Sequence, residues 1–233
     1  MPKARNFTAM QAALSHTEEN YLKAIFKLSE NNSNAKVLTN AIAEKLETTA
    51  ASVTDMLKKL AQKKLIIHEK YYGVTLTEKG KKVAKNLIRK HRLWETFLAE
   101  KLQFTWDEVH EIAEQLEHID SDLLTDRVEA FLGYPKFDPH GDPIPDKNGN
   151  IAYHEDVTLD KMHKNDSGII VGVIDHSTDF LKYLDKMELV INAKVKVKDE
   201  EDYDQSKLIA INQKKEINVS RKVAANLLIR RTK

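Results

Sequence analysis

The segment from residue 109 to 118, VHEIAEQLEH, carries the side chains best suited to chemistry. On a helix, Glu114, Glu117 and His118 have the i, i+3 and i+4 spacing that gathers side chains around one point. Carboxylate and imidazole groups gathered in this way suit a hard divalent cation. We therefore predict a metal site on this helix, which we call the primary site.

A second ion site is predicted around His110. It lies eight residues before His118, about 12 Å along a helix axis, so one ion cannot contact both. On the preceding helix, His91 and Glu95 present an imidazole and a carboxylate from one face. We predict that His91, Glu95 and His110 converge on this second, ancillary ion. The alternative for any single His/Glu pair is a solvated surface contact.

The residues before these helices predict a compact helical unit with a hairpin. Helical spacing is expected over 17–30, where Thr17 can cap the first turn, and over 39–46. Thr49 can cap a third helix whose apolar residues recur at i, i+3, i+4 and i+7. Two short β-rich runs then meet around Tyr71-Tyr72-Gly73. Three helices followed by a hairpin are typical of a winged helix-turn-helix.

The rest of the chain predicts a helical middle and a β-rich end. Helices are expected over 78–101, 105–121 and 121–131. Residues 132–158 hold four of the five prolines and three of the seven glycines, which indicates a structured linker. Beyond it, short strands and one helix suit a small β-barrel. The strands are expected at 168–174, 193–197, 207–211 and 216–219, and the helix at 178–186.

Charge is segregated along the chain, although the formal net charge is only +1. Residues 1–92 carry 18 Lys and Arg against 8 Asp and Glu, whereas residues 93–158 carry 4 against 16. A basic module joined to an acidic one suggests polyanion binding at one end and cation binding at the other. Chance segregation over a large surface is the alternative.

Composition also argues against several classes of protein. The chain has no cysteine, which excludes a disulfide framework, a thiolate metal site and a thiol nucleophile. The longest apolar stretch, Gly168 to Ile174, is too short to span a bilayer. The first fifteen residues lack the apolar core of a signal peptide. We expect a cytoplasmic protein without a membrane partner.

The sequence resembles the diphtheria toxin repressor and manganese transport regulator family of metal-dependent repressors. The motifs that carry this resemblance are ENYLKAI (19–25), AASVTDMLKKL (50–60), RKHRLWETFL (89–98) and VHEIAEQLEH followed by IDSDL (109–123). GYPKFDPHGDPIP (133–145) and the β-rich end resemble longer members of the family. The resemblance covers nearly the whole chain from residue 16. It implies a transcriptional repressor of metal-uptake genes and not an enzyme.

The resemblance also implies a mainly α fold class of three parts. These are an N-terminal winged helix-turn-helix, a helical metal-binding and dimerisation domain, and a C-terminal small SH3-like (FeoA-like) β-barrel. The predicted domain boundaries are 1–77, 78–146, a linker at 147–158, and 159–233. Residues 132–146, the first part of the structured linker described above, are thus counted with the helical domain.

Further metal ligands are implied by the resemblance alone. Asn20 on the first helix and Asp138 in the linker would complete the primary site. The family usually has Met or Asp where Asn20 stands, so this ligand is neutral and weaker. Lys23 stands where manganese-type members carry Glu, which argues against their closely spaced pair of ions. His176 and Asp179 would complete the ancillary site, with a helix-capping turn as the alternative.

The ligand types and the resemblance together predict the metal and the partners. The predicted primary site has oxygen ligands and one imidazole, and neither a thiolate nor a thioether. Such a ligand set suits Mn(II), with Fe(II) as the alternative, and Zn(II) could bind in vitro. The expected partner is double-stranded operator DNA, bound as a palindrome by a homodimer, with room for two dimers per operator. Leu93, Trp94 and Phe97 would form the dimer seam or, alternatively, core within one chain.

The third helix is predicted to enter the major groove of DNA. The residues at its start are small or polar and can approach base edges: Ala50, Ala51, Ser52, Thr54 and Asp55. Nearby lysines would contact phosphates without specifying sequence: Lys58, Lys59, Lys63, Lys64 and Lys70. Tyr71 and Tyr72 at the hairpin tip would reach the DNA backbone or pack within the wing.

Two other function classes stay open at this point. A metal-independent winged-helix regulator would share the first unit of the chain. A metalloenzyme would use the same ligand types for hydrolysis or oxygen chemistry. The sequence contains no Gly-rich phosphate loop and no nucleophile motif, which argues against the enzyme.

Overall fold

The computed structural model describes residues 14–30, 36–69, 72–151 and 155–232. The chain divides into two compact units, residues 1–88 and residues 89–233.

The first unit contains three helices and a two-stranded hairpin. In chain order these are α1 (His16–Glu30), α2 (Thr39–Lys45), α3 (Ala50–Gln62), β1 (Ile66–Glu69) and β2 (Gly73–Leu76). The two strands pair in antiparallel fashion. Leu22, Ile42 and Leu57, one from each helix, are buried in the core. The predicted winged helix-turn-helix is thereby confirmed.

Side-chain caps determine where two of these helices begin. Thr49 accepts a hydrogen bond from the Ser52 N–H, as predicted for the start of α3. At α1, the Ser15 N–H donates to Glu18 Oε2 at 2.9 Å, and the Glu18 N–H donates to Ser15 Oγ at 3.2 Å. This reciprocal capping box starts α1 at His16, so the predicted cap, Thr17, lies inside the first turn.

The next helix, α4 (Glu78–Leu102), begins in the first unit and ends in the second, where α5 (Val109–Leu116) and α6 (Asp122–Phe131) follow. Leu93 of α4 is buried beside Val128 and Ile144. Of the two alternatives for Leu93, the structure therefore supports core within one chain.

Among the described helices, none combines the length and apolar content needed to cross a bilayer. Because α5 is shorter than the predicted helix over 105–121, Glu117 lies at its C-terminal cap.

The C-terminal part of the second unit is a six-stranded antiparallel sheet with the strand order β3-β8-β4-β5-β6-β7. Its elements are β3 (Val157–Thr158), a 3-10 turn (Leu159–Lys161), β4 (Ser167–Val173), α7 (Thr178–Met187), β5 (Lys194–Glu200), β6 (Lys207–Ile211), β7 (Lys215–Val219), α8 (Arg221–Ala224) and β8 (Leu227–Arg231). The sequence did not predict β8, since its Leu and Arg residues favour helices. Pairing with β3 and β4 overrides that preference.

Candidate metal centre

Helix α4 buries an unusual run of ionisable side chains, from Arg89 to Arg92, and one turn later Glu95. Arg89 and Arg92 are paired with carboxylates of α6 and of the linker. Buried charge is tolerated only when it is paired or bound to a cation. The two arginines therefore fix the helix face that carries His91 and Glu95.

One oxygen of Glu95 faces two histidines. Its Oε1 lies 2.9 Å from His91 Nε2 and 3.2 Å from His110 Nδ1. The rings of His91 and His110 are in edge-to-face contact, with centroids 4.9 Å apart. The structure thus brings together the three residues predicted for the ancillary site.

The residues predicted for the primary site adjoin this group. His91 Nδ1 lies 2.6 Å from Glu117 Oε2 and 3.8 Å from Glu114 Oε1. His118 Nε2 lies 3.8 Å from Glu117 Oε1. Ligand atoms of His91, His110 and Glu114, which we call the histidine cluster, all lie within 4.8 Å of one another. The two predicted sites therefore form one continuous network, with His91 between them.

A second group of ligand atoms is fully buried. Glu95, Asp138 and His140, which we call the buried triad, also place ligand atoms within 4.8 Å of one another. The second oxygen of Glu95, Oε2, lies 3.8 Å from His140 Nδ1. Glu95 thus contributes one oxygen to each of the two groups.

The buried triad contains two polar atoms that the described part of the chain leaves without a hydrogen bond. Asp138 Oδ1 accepts hydrogen bonds from the backbone N–H groups of His140 and Asp142 at 2.8 and 2.9 Å. Its Oδ2, like His140 Nδ1, is buried without a hydrogen-bond partner among the described residues. Arg92 Nε lies 3.6 Å from that Oδ2, beyond ordinary hydrogen-bond distance. Unsatisfied buried polar atoms are rare in proteins, so these two require an explanation.

The electrostatics of the triad are those of a site with excess negative charge. Burial, together with the charges of Asp142 and Glu95, raises the pKa of Asp138 to about 8. Burial alone would lower the pKa of His140, but Glu95 and Asp138 outweigh it and raise this pKa to about 9. Burial would raise the pKa of Glu95, as it does for Asp138. The charge of His91 and hydrogen bonding by His110 nevertheless hold the pKa of Glu95 well below its usual range.

A divalent cation fits this donor set. Two carboxylates and one imidazole, with no sulfur, are ligands that suit Mn(II) and Fe(II). A cation there would satisfy Asp138 Oδ2 and His140 Nδ1 and balance the clustered carboxylates. Metal-ligating histidines commonly donate their other ring N–H to a backbone carbonyl, and His140 Nε2 lies 2.7 Å from the Trp106 carbonyl oxygen.

Four further predicted ligands lie in different places. Asp138 groups with Glu95 and His140. The His176 ring stacks on His140 with centroids 4.8 Å apart, and its Nε2 is 3.2 Å from the Val173 carbonyl oxygen. Asp179 is exposed in the first turn of α7. Asn20 belongs to the first unit, where its Oδ1 is buried without a hydrogen-bond partner among the described residues. The predicted ligand roles of these residues stay predictions.

His140 is the one member of the buried triad that was not predicted from the sequence. Its one local signal is the D-P-H-G turn in KFDPHG, where an acid and an imidazole stand on either side of a proline. That spacing alone predicts only a turn. The approach of the linker to α4 makes His140 a candidate ligand.

The predicted DNA-contacting face of α3 is open. Ala50, Ala51, Ser52, Asp55, Lys58 and Lys59 are exposed and Thr54 is half-buried. The Thr54 hydroxyl donates to the Ala50 carbonyl at 2.8 Å, and Lys58 pairs with Asp55 at 2.9 Å. Lys70 and Tyr71 lie outside the described residues.

Comparison with known proteins identifies the family. Three protein-family models match: the N-terminal DNA-binding domain of iron-dependent repressors at residues 13–74, their metal-binding and dimerisation domain at 77–146, and the FeoA domain at 157–231. The HTH-type transcriptional regulator MntR of Oceanobacillus iheyensis is 37% identical over 120 residues, which are 52% of this chain and 80% of that protein. The chain belongs to the iron-dependent repressor family. The iron-dependent repressor IdeR of Mycobacterium bovis is 33% identical over 129 residues, 55% of each protein.

Solved structures of metal-dependent regulators extend the match over the fold. A manganese-dependent transcriptional repressor in complex with manganese has a TM-score of 0.82 and 31% identity, over 92% of this chain and 100% of that chain. The manganese regulator SloR has a TM-score of 0.72 and 34% identity, over 92% and 98%. This family comprises metal-dependent transcriptional repressors rather than enzymes. Its DNA-binding and dimerisation domains make DNA and a second copy of the chain the expected partners.

Proposed function

We propose that this repressor is activated by Mn(II), with Fe(II) as the alternative, and then binds palindromic operators of metal-uptake genes as a homodimer. The single observation that carries the metal dependence is the buried triad, whose unsatisfied Asp138 and His140 atoms face Glu95. Oxygen and nitrogen donors without sulfur support Mn(II). The manganese-dependent repressor that was solved with manganese adds further support. Zn(II) would also bind in vitro, because the Irving–Williams order favours it over Mn(II).

Two groups of residues would hold the ions. The buried triad is one, and we propose Asp138 as its ligand rather than as a ligand of the primary site. The other is the acidic end of α5, where Glu114, Glu117 and His118 remain the proposed primary ligands. A bound ion supplies positive charge that balances the carboxylates. His91 contacts Glu95 and Glu117 at 2.9 and 2.6 Å, and it would orient one carboxylate of each group.

The proposed dimer seam is the apolar face around α6. Leu123 and Phe131 are 69% and 66% exposed, which is unusual for large apolar side chains on one short helix. Phe97 of α4 packs beside Phe131 with ring centroids 6.1 Å apart. A two-fold dimer joined here would present two α3 helices to a palindromic operator, with one or two dimers per site.

The test begins with full-length protein stripped of metal by chelation. Duplexes are first selected from a random pool in the presence of Mn(II), and the affinity for the selected duplex is then measured with and without Mn(II). We expect Mn(II) to raise the affinity at least tenfold in the wild type, and Glu95→Gln to lose most of that gain. Equal affinity with and without Mn(II), Fe(II) and Zn(II) would show a metal-independent regulator instead.

A further inference from the structure

The ring of His140 is held on three sides by residues outside the buried triad. Its Nε2 donates to the Trp106 carbonyl at 2.7 Å. Its faces stack on the His176 ring, with centroids 4.8 Å apart at 19°, and on the Trp106 ring, at 6.3 Å and 15°. A neutral imidazole that donates from Nε2 has its lone pair on Nδ1, the atom that faces Glu95. The Trp106 carbonyl therefore selects the tautomer that can bind a cation.

Trp106 is in turn anchored to the FeoA domain. Its indole Nε1 donates to Asp185 Oδ2 of α7 at 3.0 Å, and its side chain packs against the hydrophobic core of that domain. The next residue, Asp107, lies 3.6 Å from Lys182 of the same helix. The carbonyl that orients His140 is thus fixed from α7.

The backbone of the ligand loop is fixed from β4 of the same domain. The Val173 N–H donates to the His140 carbonyl at 3.0 Å. Gly141 has a φ of +88°, and a Cβ there would lie 1.9 Å from the Val171 carbonyl oxygen and 2.5 Å from Gly172 Cα. Only glycine permits this approach, because both neighbouring atoms belong to the backbone of a paired strand. The position of His140 therefore depends on contact with β4.

We propose that Trp106 and Gly141 are positioning residues of the buried triad, through which the FeoA domain holds His140 in its ligating tautomer and orientation. The inference rests on the proposed function, since it assumes that the triad binds a metal ion. Neither residue contributes a ligand atom in this inference. Their effect on the metal passes through the loop that carries His140, as outer-shell partners of metal ligands act.

The test measures Mn(II) binding to the full chain from the electron paramagnetic resonance signal of free Mn(II). Gly141→Ala should weaken the triad ion by about 10- to 100-fold, the usual effect of losing an outer-shell contact. Gly133→Ala is the matched control, because Gly133 has a similar φ of +76° but nothing within 4 Å of an added Cβ. It should bind Mn(II) like the wild type. Glu95→Gln should remove the triad ion altogether.

A second variant keeps the inference testable if Gly141→Ala does not fold. Trp106→Phe retains an aromatic ring and the backbone carbonyl but removes the indole N–H that reaches Asp185. It should weaken Mn(II) binding about tenfold. In Zn(II)-loaded protein it should also speed the solvent exchange of the His140 ring N–H. A general loss of stability in a distant element would not change that exchange rate. In Trp94→Phe, the same substitution at the other tryptophan, the exchange should stay at its wild-type rate.

The outcomes separate the two proposals. If Glu95→Gln leaves the number of bound ions unchanged, the proposed triad site fails, and the inference about positioning fails with it. If Glu95→Gln removes one ion but Trp106→Phe and folded Gly141→Ala bind Mn(II) like the wild type, only the positioning roles are overturned. Equal weakening by Gly133→Ala and Gly141→Ala would also overturn them.

Discussion

Metal binding at the buried triad should release two protons and should therefore weaken steeply in acid. Burial and neighbouring carboxylates raise the pKa of Asp138 to about 8. Against the opposing effect of burial, Glu95 and Asp138 raise the pKa of His140 to about 9. Ligand atoms bind a cation only after they have lost their protons. At neutral pH both groups are protonated in the metal-free protein, so both protons must leave.

The two pKa values determine the size of the effect. At pH 7 the deprotonations cost on the order of 1 kcal/mol for Asp138 and 3 kcal/mol for His140. Together they reduce the affinity about 1000-fold relative to the fully deprotonated site. Because protons compete with the metal, affinity rises with pH, by about 100-fold per pH unit below pH 7. Ligands with ordinary pKa values would give little pH dependence above pH 7.

Calorimetric titration with Mn(II), in buffers that differ in ionisation enthalpy, counts the protons released per ion. We expect two for the triad at pH 7. Asp138→Asn is the matched variant, because the amide keeps the shape of the side chain but has no proton to release. Its total proton count should fall by at least one relative to the wild type. Equal counts in the two proteins, or a triad affinity that does not change between pH 6 and 7.5, would refute this reasoning.

Three further predictions test other parts of the molecule. Glu18→Gln should cost about 1 kcal/mol of unfolding free energy at pH 7 in urea denaturation. Burial raises the pKa of Glu18, but Lys63 and the hydrogen bonds of Ser15 outweigh it and lower this pKa. The deficit should therefore disappear as acid protonates the wild-type carboxylate; a deficit that persists in acid would contradict this account. Phe131→Glu should raise the dimer dissociation constant about 100-fold in sedimentation, with the number of metal ions per chain unchanged; an unaltered dimer would place the seam elsewhere. Lys59→Gln should reduce the salt dependence of operator binding by about 0.9 in log–log slope, whereas Lys186→Gln on α7 should leave it unchanged; equal slopes would remove Lys59 from the phosphate contacts.

The local sequence was sufficient to predict the helices and which of their ionisable side chains lie together. The predicted cap at Thr49 and the hairpin that follows α3 are present. His91 with Glu95 on α4, and His110 with Glu114 on α5, lie together as their one-turn spacing indicates. These features depend on the helical period and on capping, which act over a few residues, and they are readable from one sequence.

The tertiary structure alone decided how the candidate ligands group and which of their pKa values are raised or lowered. Asp138 and His140 lie in the linker, far along the chain from Glu95, and no sequence period connects them. The fold of the linker against β4 and the Trp106 turn brings them to α4. The same packing removes water from the site, which raises the pKa of Asp138. Desolvation and long-range contact are properties of the packed chain, so the buried triad, like the pairing of β8, could not be predicted from local spacing.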